Sequence, residues 1–232
     1  MEPTGVKRKL TVILAADVEG YSRLMGADEE ATHKTLRAYR EIIDGLIARH
    51  DGRVFSTAGD SVVTEFGSAV EAVRSAVSIQ EELRVRNAEL PEDRQMRFRI
   101  GVNLGDVIVD GDDFYGDGVN VAARLEGLAE PGGICVSGTV FDQVRDRLDL
   151  GYDFLGDQEV KNIVRPVRVY RVLLDSNVAG TVAGESKRVI TLWKRPALIA
   201  VTTLITIAAV VIGFQRPWES TVAPTSRASP MA

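Results

Sequence analysis

Residues 113–124, with the sequence DFYGDGVNVAAR, combine side chains that can bind a phosphate ester. Gly116 and Gly118 allow backbone conformations that other residues resist, and the residues after them predict the start of a helix. Asn120 and Arg124 are four residues apart, so they share one face of that helix. A guanidinium offers a fixed fork of donors with a permanent charge, which suits phosphate oxygens. A surface helix with a solvated arginine is an equally good interpretation of this stretch alone.

An apolar run ends in an acid near the start of the chain. Residues 1–9 form a short basic lead, and residues 10–16 are rich in Val, Ile and Leu, which predicts a buried strand ending at Asp17. A signal peptide is a poorer interpretation, because the run has the minimum length and is followed by acids. A helix is expected over residues 28–50, where Asp28 is suited to the N-cap.

A second acid stands between two predicted strands. Residues 53–57 and 61–66 have the composition of strands, and residues 58–60 (AGD) predict a tight hairpin with Asp60 at its tip. An aspartate chosen only for its turn chemistry is the simpler interpretation of Asp60 alone. Ser68 then begins a capping box, which opens an amphipathic helix expected to run to about residue 89.

The later part of the chain continues this alternation of strands and helices. The predicted elements are strands at residues 98–104, 106–109, 134–137, 158–161 and 167–173 and a helix at residues 139–147, besides the helix that begins near Val119. The first two of these strands are expected to form a pair that turns at Gly105. The order strand, helix, strand, strand, helix, strand is the ferredoxin-like βαββαβ pattern. It predicts an α+β fold, with an antiparallel sheet and helices on one face.

The ferredoxin-like pattern brings the two acids together. In this fold the end of the first strand lies beside the tip of the central hairpin, so Asp17 and Asp60 are expected to converge. Two carboxylates in contact repel each other unless a cation lies between them. Oxygen ligands suit Mg²⁺ or Mn²⁺, which commonly serve phosphate chemistry.

Composition narrows the classes of partner and site. The formal net charge of −5 argues against nucleic acid as the main partner. Cys135 is the only cysteine, so no intrachain disulfide can form, and its apolar neighbours indicate a buried hydrophobe rather than a nucleophile. His33 and His50 are the only histidines, and no Cys/His cluster exists, which argues against a zinc site.

Four stretches together resemble the class III nucleotidyl cyclases, the catalytic domains of adenylate and guanylate cyclases. The matching pieces, in order and with compatible spacing, are residues 16–22 (ADVEGYS), 58–60, 113–124 and 159–162 (EVKN). The match is most similar in style to the bacterial group in which a cyclase domain stands at the N-terminus of a membrane protein. The resemblance implies a ferredoxin-like cyclase domain with extra C-terminal strands over residues 10–175.

The resemblance also implies a role for each matching residue. Asp17 and Asp60 would hold two Mg²⁺ or Mn²⁺ ions, with the Val18 carbonyl as a further ligand. Asn120 would orient the ribose, and Arg124 would neutralise charge at the α-phosphate in the transition state.

Three further positions concern the rest of the nucleotide. The resemblance implies that Lys161 contacts the terminal phosphates and that Asp113 accepts a hydrogen bond from the adenine amino group. Ser56 stands where adenylate cyclases usually have a lysine that reads the base and guanylate cyclases favour a glutamate. Guanylate cyclases favour a cysteine at the position of Asp113, so Asp113 favours ATP while Ser56 fits neither pattern.

The implied function is an adenylate cyclase, which forms 3′,5′-cyclic AMP and pyrophosphate from ATP. A guanylate cyclase acting on GTP is one alternative, and a weakly active nucleotide-binding regulatory module with the same fold is another. In this family the site lies between two cyclase domains. A chain with one such domain is therefore expected to act as a homodimer with shared active sites.

The C-terminal part of the chain predicts a single transmembrane helix over residues 196–215. The run that begins at Ala197 and ends at Phe214 contains 18 residues without a charge, close to the ~20 that span a bilayer. A buried core helix is the alternative, but no amphipathic pattern supports it. The basic excess lies in the linker of residues 176–195, which predicts a cyclase domain in the cytoplasm and a single-pass protein of the inner (plasma) membrane. Residues 216–232 are expected to form a short disordered extracytoplasmic tail.

Overall fold

The computed structural model describes residues 7–111, 113–160, 163, 165–174 and 182–183, and for residues 110, 113, 182 and 183 it describes the backbone alone. The helices are α1 (Tyr21–Ala27), α2 (Glu29–Arg49), α3 (Ala69–Asn87), α4 (Asp117–Leu128) and α5 (Gly138–Val144). The strands are β1 (Lys7–Val18), β2 (Gly52–Ala58), β3 (Ser61–Phe66), β4 (Phe98–Asp110), β5 (Asp113–Tyr115), β6 (Ile134–Ser137), β7 (Gly151–Gln158), β8 (Val167–Leu173) and β9 (Val182–Ala183).

The strands form one sheet in the order β2-β3-β1-β4-β6-β8-β7-β9, and β5 pairs with β4 outside this path. The first four strands in this order are antiparallel and have the ferredoxin-like arrangement, which confirms the predicted core and its extra C-terminal strands. The sheet is mixed, however, because β4 pairs with β6, and β7 with β9, in parallel. A crossover through α4 separates β4 from β6, and such a crossover returns the chain in the same direction.

Helices cover both faces of the sheet, so the expectation of helices on one face was wrong. Val12 and Leu14 of β1 belong to the main core, which also holds buried residues of α2, α3 and α5. Ile13 and Ala15 point to the opposite face and pack with Ala122 of α4. Successive residues of a strand point to opposite faces, and β1 is apolar on both. A strand that is apolar on both faces must be covered on both, and α4 covers the face that carries Ile13 and Ala15.

Strand β4 runs unbroken through Gly105, so the predicted pair of strands turning at that residue was wrong. Gly105 pairs with Thr11 in the antiparallel register between β1 and β4. A side-chain carbon at Gly105 would lie 3.0 Å from the Cα atom of Gly118. This glycine therefore permits the close approach of α4 to the sheet and does not make a turn.

Other boundaries were predicted with mixed success. Asp28 caps α2 as expected, because its side chain accepts a hydrogen bond from the amide of Ala31 at 3.0 Å. The strand at residues 134–137 is confirmed, and Ser68 caps α3. The strand expected at residues 158–161 was wrong, because β7 ends at Gln158. Helix α1 and strand β5 were not anticipated, since both are too short for a clear periodic pattern.

No helix among the described residues is long and apolar enough to cross a membrane. The predicted transmembrane run, residues 197–214, lies outside the described residues. The membrane anchor and its flanking segments therefore stay a prediction.

Candidate active site

Asp17 and Asp60 converge at one end of the sheet, as the fold pattern predicts. Asp17 is the second-last residue of β1, and Asp60 lies in the two-residue turn between β2 and β3. The two carboxyl groups lie close enough for Asp60 to raise the pKa of Asp17. Oδ2 of Asp60 also accepts a hydrogen bond from the amide of Val18 at 3.2 Å. The end of β1 and the hairpin tip are thus tied together through the Asp60 carboxylate.

An arginine of α2 holds the turn that carries Asp60. Nη2 of Arg40 donates to the carbonyl of Gly59 at 2.7 Å and to the carbonyl of Ser61 at 2.9 Å. These two carbonyls flank Asp60 in sequence, so both sides of the turn are held by one guanidinium. Gly59 has a φ of 59°, which a glycine adopts without strain. Arg40 was not anticipated from the sequence, because it lies 20 residues away from the acid that it supports.

Asp17 lies in an environment where negative charge outweighs positive charge. Its pKa is raised from 3.8 to about 7, chiefly by burial and then by the hydrogen bond and negative charge of Asp60. The charge of Glu126 raises the pKa of Asp17 further, while the guanidinium of Arg99 lowers it. A nearby divalent cation would relieve this repulsion.

The residues present fit a hard divalent cation. The carboxylates of Asp17 and Asp60 are in contact and supply the oxygen ligands that Mg²⁺ and Mn²⁺ prefer. No group of three or more His, Cys, Asp or Glu residues that could hold a metal ion occurs in the described part of the chain. Two carboxylates suffice where phosphates and water complete the coordination, as is usual for Mg²⁺. The Val18 carbonyl as a further ligand stays a prediction.

Two charged residues beside the acids were missed by the sequence analysis. Arg99 of β4 stands opposite Asp17 in the antiparallel register, and its Nη2 atom lies 3.6 Å from Oδ2 of Asp17. The same Nη2 atom lies 2.8 Å from Oε1 of Glu126, a buried residue of α4. The only signal in the sequence was the pairing of the first and fourth strands of the ferredoxin-like order, which brings residues 17 and 99 together.

Helix α4 presents Asn120 and Arg124 to solvent, on one face as the spacing predicts. Both residues are exposed, whereas Val121 and Leu125 of the same helix are buried. In the described part of the chain, no hydrogen bond or ion pair joins Asn120 or Arg124 to the two acids. One protomer therefore does not assemble the predicted nucleotide-binding residues of α4 with its own acid pair.

The helix that carries these residues is seated directly on the backbone of β4. A side-chain carbon at Gly101 would lie 2.2 Å from the carbonyl oxygen of Ala122 and 2.2 Å from the amide nitrogen of Glu126. Nδ2 of Asn103 donates to the carbonyl of Gly118 at 3.0 Å. These contacts leave α4 little room to shift, because backbone atoms cannot yield as a flexible side chain does.

The two positions predicted to read the base lie on elements that contact each other. Strand β2 bulges between Val54 and Ser56, so Phe55 is the extra residue against β3. The ring of Phe55 packs on that of Phe114, with centroids 4.6 Å apart and an angle of 52°. Ser56 follows Phe55, and Asp113 precedes Phe114, so this ring contact brings the two positions into one region.

The chain matches the family described as the Adenylate and Guanylate cyclase catalytic domain over residues 6–173. It belongs to this family. A Rhizobium meliloti (strain 1021) protein named "Putative adenylate cyclase 3" is 48% identical over 171 residues, which are 73% of this chain and 29% of that protein. Adenylate cyclase 1 of the same strain is 29% identical over 185 residues, covering 68% of this chain and 27% of that protein. The chain thus spans less than a third of the length of either relative.

Solved cyclase structures share the fold of this cyclase domain. The adenylate/guanylate cyclase/hydrolase from Silicibacter pomeroyi has 42% sequence identity and a TM-score of 0.70, covering 74% of this chain and 100% of that one. The guanylyl cyclase Cya2 has 26% identity and a TM-score of 0.63, covering 73% of this chain and 94% of that one. The relatives thus include proteins named as adenylate cyclases and one named as a guanylyl cyclase.

Lys161 and Cys135 are two further residues of the cyclase domain for which the sequence predicts a role. Lys161 lies outside the described residues, so its predicted contact with the terminal phosphates stays a prediction. Cys135 is fully buried, and burial raises the pKa of its thiol to about 12, which agrees with a structural role and not with a nucleophile.

Proposed function

We propose that the chain is an adenylate cyclase, which converts ATP to 3′,5′-cyclic AMP and pyrophosphate. The contact between Asp17 and Asp60, on the face of the sheet that also carries α4, is the observation that supports this most strongly. Membership of the cyclase family supplies the reaction class. The 48% identical relative named as an adenylate cyclase supports ATP as the substrate.

Asp17 and Asp60 would hold the divalent cation in this reaction. Bound there, Mg²⁺ or Mn²⁺ supplies positive charge that lowers the pKa of the ribose 3′-hydroxyl and stabilises the phosphoryl oxygens. The 3′-oxygen of ATP attacks the α-phosphorus in line, and pyrophosphate leaves. The work of the protein is to position these groups and to compensate the charge that develops on the α-phosphate.

Residues of α4 and its neighbouring loops would bind the nucleotide. Arg124 is exposed and has no ion-pair partner in the described part of the chain, so its guanidinium is available to a phosphate. Asn120, one turn earlier on the same face, would orient the ribose, and Lys161 would contact the terminal phosphates. Asp113 would accept a hydrogen bond from the adenine amino group, which favours ATP over GTP.

The active site would form between two copies of the chain. Within the described part of one protomer Asn120 and Arg124 are exposed, and no hydrogen bond or ion pair joins them to Asp17 or Asp60. A homodimer with two-fold symmetry gives each acid pair a facing α4 from the partner. Each of its two sites would then use the acids of one protomer and the α4 residues of the other.

We further propose that residues 197–214 anchor this domain in the inner membrane. Their length without a charge supports a single span, and the basic residues before them support a cytoplasmic position for the cyclase domain.

The purified chain tests the proposed reaction when it is incubated with Mn²⁺ and either ATP or GTP. We expect cyclic AMP and pyrophosphate from ATP, detected by chromatography with mass spectrometry, and a lower rate of product formation from GTP. Cyclic GMP as the main product would replace the substrate assignment and keep the reaction class. If correctly folded dimer forms neither cyclic AMP nor cyclic GMP, the result would favour the alternative of a regulatory module.

A further inference from the structure

Arg99 is held between two carboxylates at unequal distances. Its Nη2 atom lies 2.8 Å from Oε1 of Glu126 and 3.6 Å from Oδ2 of Asp17. Both are ion-pair distances, and neither contact is a hydrogen bond, because Oε1 of Glu126 is buried without a hydrogen-bond partner among the described residues. The Nε atom of Arg99 is buried and has no hydrogen-bond partner among the described residues. The guanidinium therefore lies closer to Glu126 than to Asp17, the acid that would bind a metal ion.

Glu126 is a fixed anchor for this arginine. The residue is 8% exposed, and its backbone nitrogen belongs to the part of α4 that rests directly on Gly101 of β4. Arg99 lies two residues from Gly101 on the same strand and the same face. The Glu126 carboxylate and the base of the Arg99 side chain thus have a set separation, so a movement of the guanidinium towards Asp17 would lengthen its contact with Glu126.

A buried ion pair of this kind contributes little net free energy to folding. Removing two charges from water costs free energy that the attraction between them often fails to repay, and Arg99 leaves a buried nitrogen unbonded. Apolar residues of similar size would fill the space between α4 and β4 as well. The position of the pair beside Asp17 supplies another reason for its presence.

A guanidinium and a metal ion compete for the same oxygen. Asp17, Asp60 and Glu126 are three carboxylates that interact with one another, and Arg99 is the one guanidinium among the described residues that contacts the group. If Arg99 closed on Asp17, it would neutralise a ligand of the cation and fill part of the space beside it. Held by Glu126, it lowers the repulsion in the cluster and leaves Oδ2 of Asp17 accessible.

We propose that Glu126 restrains Arg99 from pairing with Asp17, and that this restraint sets the affinity of the acid pair for divalent cations. The inference rests on the proposed role of Asp17 and Asp60 as metal ligands. Glu126 and Arg99 are positioning residues in this scheme, because they act on the cation through Asp17. The scheme predicts opposite effects for the two members of the ion pair. Loss of the Glu126 charge weakens metal binding, whereas loss of the Arg99 charge does not.

The test is Mn²⁺ binding to the full chain at mildly alkaline pH, measured without nucleotide from the electron paramagnetic resonance signal of free Mn²⁺. Glu126→Gln keeps the shape of the side chain and removes the charge that holds Arg99, and we expect Mn²⁺ binding about tenfold weaker. Arg99→Gln removes the competitor, and we expect binding as tight as in the parent chain or tighter. The double variant should recover the affinity that Glu126→Gln loses.

A purely structural role for the ion pair predicts another pattern. Both single variants would then weaken Mn²⁺ binding, and the double variant would bind no better than Glu126→Gln. Weakening by more than about threefold in Arg99→Gln overturns the proposal, as does unchanged binding in Glu126→Gln. The Arg99→Gln result decides the matter even if Glu126→Gln fails to fold, which thermal unfolding would reveal.

Asp60→Ala separates this inference from the proposed function. If Asp60→Ala loses Mn²⁺ binding and Glu126→Gln does not, the restraint by Glu126 is wrong and the metal assignment stands. If Asp60→Ala binds Mn²⁺ like the parent chain, the metal assignment itself is wrong.

Discussion

The amide of Val18 donates a hydrogen bond to Oδ2 of Asp60 at 3.2 Å, across 42 residues of sequence. This bond fixes the tip of the β2–β3 hairpin against the end of β1, where Asp17 lies one residue earlier. The two acids are thereby positioned by backbone structure on both sides. Their contact depends on the pairing of β1 with β3 and does not depend on any flexible loop.

Substitution of Asp60 by alanine should abolish cyclase activity and leave the fold intact. Asp60 is half-buried in a hairpin turn outside the core, so loss of its carboxylate removes one hydrogen bond, from the Val18 amide, and little packing. We expect the turnover rate to fall roughly 100- to 1000-fold, as for the loss of other electrostatic contacts to a transition state. The measurement is cyclic nucleotide formation at saturating Mn²⁺, with circular dichroism to verify folding. Asp157 is an exposed acid on β7, so Asp157→Ala is the matched control and should keep full activity.

Mixing two inactive variants should restore activity if the sites are shared between protomers. Asp17→Ala removes the acid side of every site in its homodimer, and Arg124→Ala removes the α4 side. A heterodimer of the two has one site with both lesions and one with neither. Random exchange makes about half of the dimers heterodimers, each with one intact site, so activity should approach roughly a quarter of the parent value.

The mixing experiment is read as cyclic AMP formation against the ratio of the two variants. A maximum near equal amounts is the expected profile. Activity that stays at the level of either variant alone, while labelled subunits demonstrably exchange, would rule out shared sites and require a site within one protomer.

Without a metal ion, Asp17 should make the free energy of unfolding fall as pH rises. Its pKa is about 7 in the folded protein against 3.8 as its ordinary value, so the folded state binds the proton more tightly. Stability from this group is fully present below pH ~4 and is lost as pH rises to about 7. Urea unfolding from pH 4 to 8 should show this decline, and Asp17→Asn should show a flatter profile. Added Mn²⁺ should stabilise the parent chain more at pH 8 than at pH 5.

Arg40→Met should destabilise the hairpin turn that carries Asp60. The variant loses two hydrogen bonds from a charged donor to the carbonyls of Gly59 and Ser61, for an expected cost of about 1–2 kcal/mol in the free energy of unfolding. Mn²⁺ binding should weaken as well, because the turn is less well ordered. Arg37→Met is the control on the same helix, since among the described residues Arg37 makes only an exposed ion pair with Glu41. Equal stability of the two variants would show that Arg40 does not hold the turn.

A truncated chain of residues 1–180 should fold and remain in solution. The membrane-length apolar run begins only at Ala197, and truncation at residue 180 removes from the described sheet only the two-residue edge strand β9. Centrifugation of cell extracts should recover the truncated chain in the supernatant and the full chain with membranes. Partition of the truncated, unaggregated chain into membranes would contradict the proposed anchor.

Local patterns in the sequence determined the elements and the acid pair. Alternation and apolar runs located β1, β2 and β3, and turn chemistry located the hairpin, because these signals arise between neighbouring residues. The strand order then followed from the ferredoxin-like pattern. Once β1 and β3 are neighbours, Asp17 and Asp60 must meet, so their contact was predictable without coordinates.

Tertiary structure alone decided what surrounds those acids. Gly105 has the local signature of a turn, yet β4 passes straight through it because β1 is long enough to pair with both halves. Arg99 meets Glu126 only because Gly101 lets α4 rest on the β4 backbone, on the face opposite the other helices. These contacts join residues that are far apart in sequence. Their geometry depends on how closely two elements pack, and neither periodicity nor turn chemistry encodes that distance.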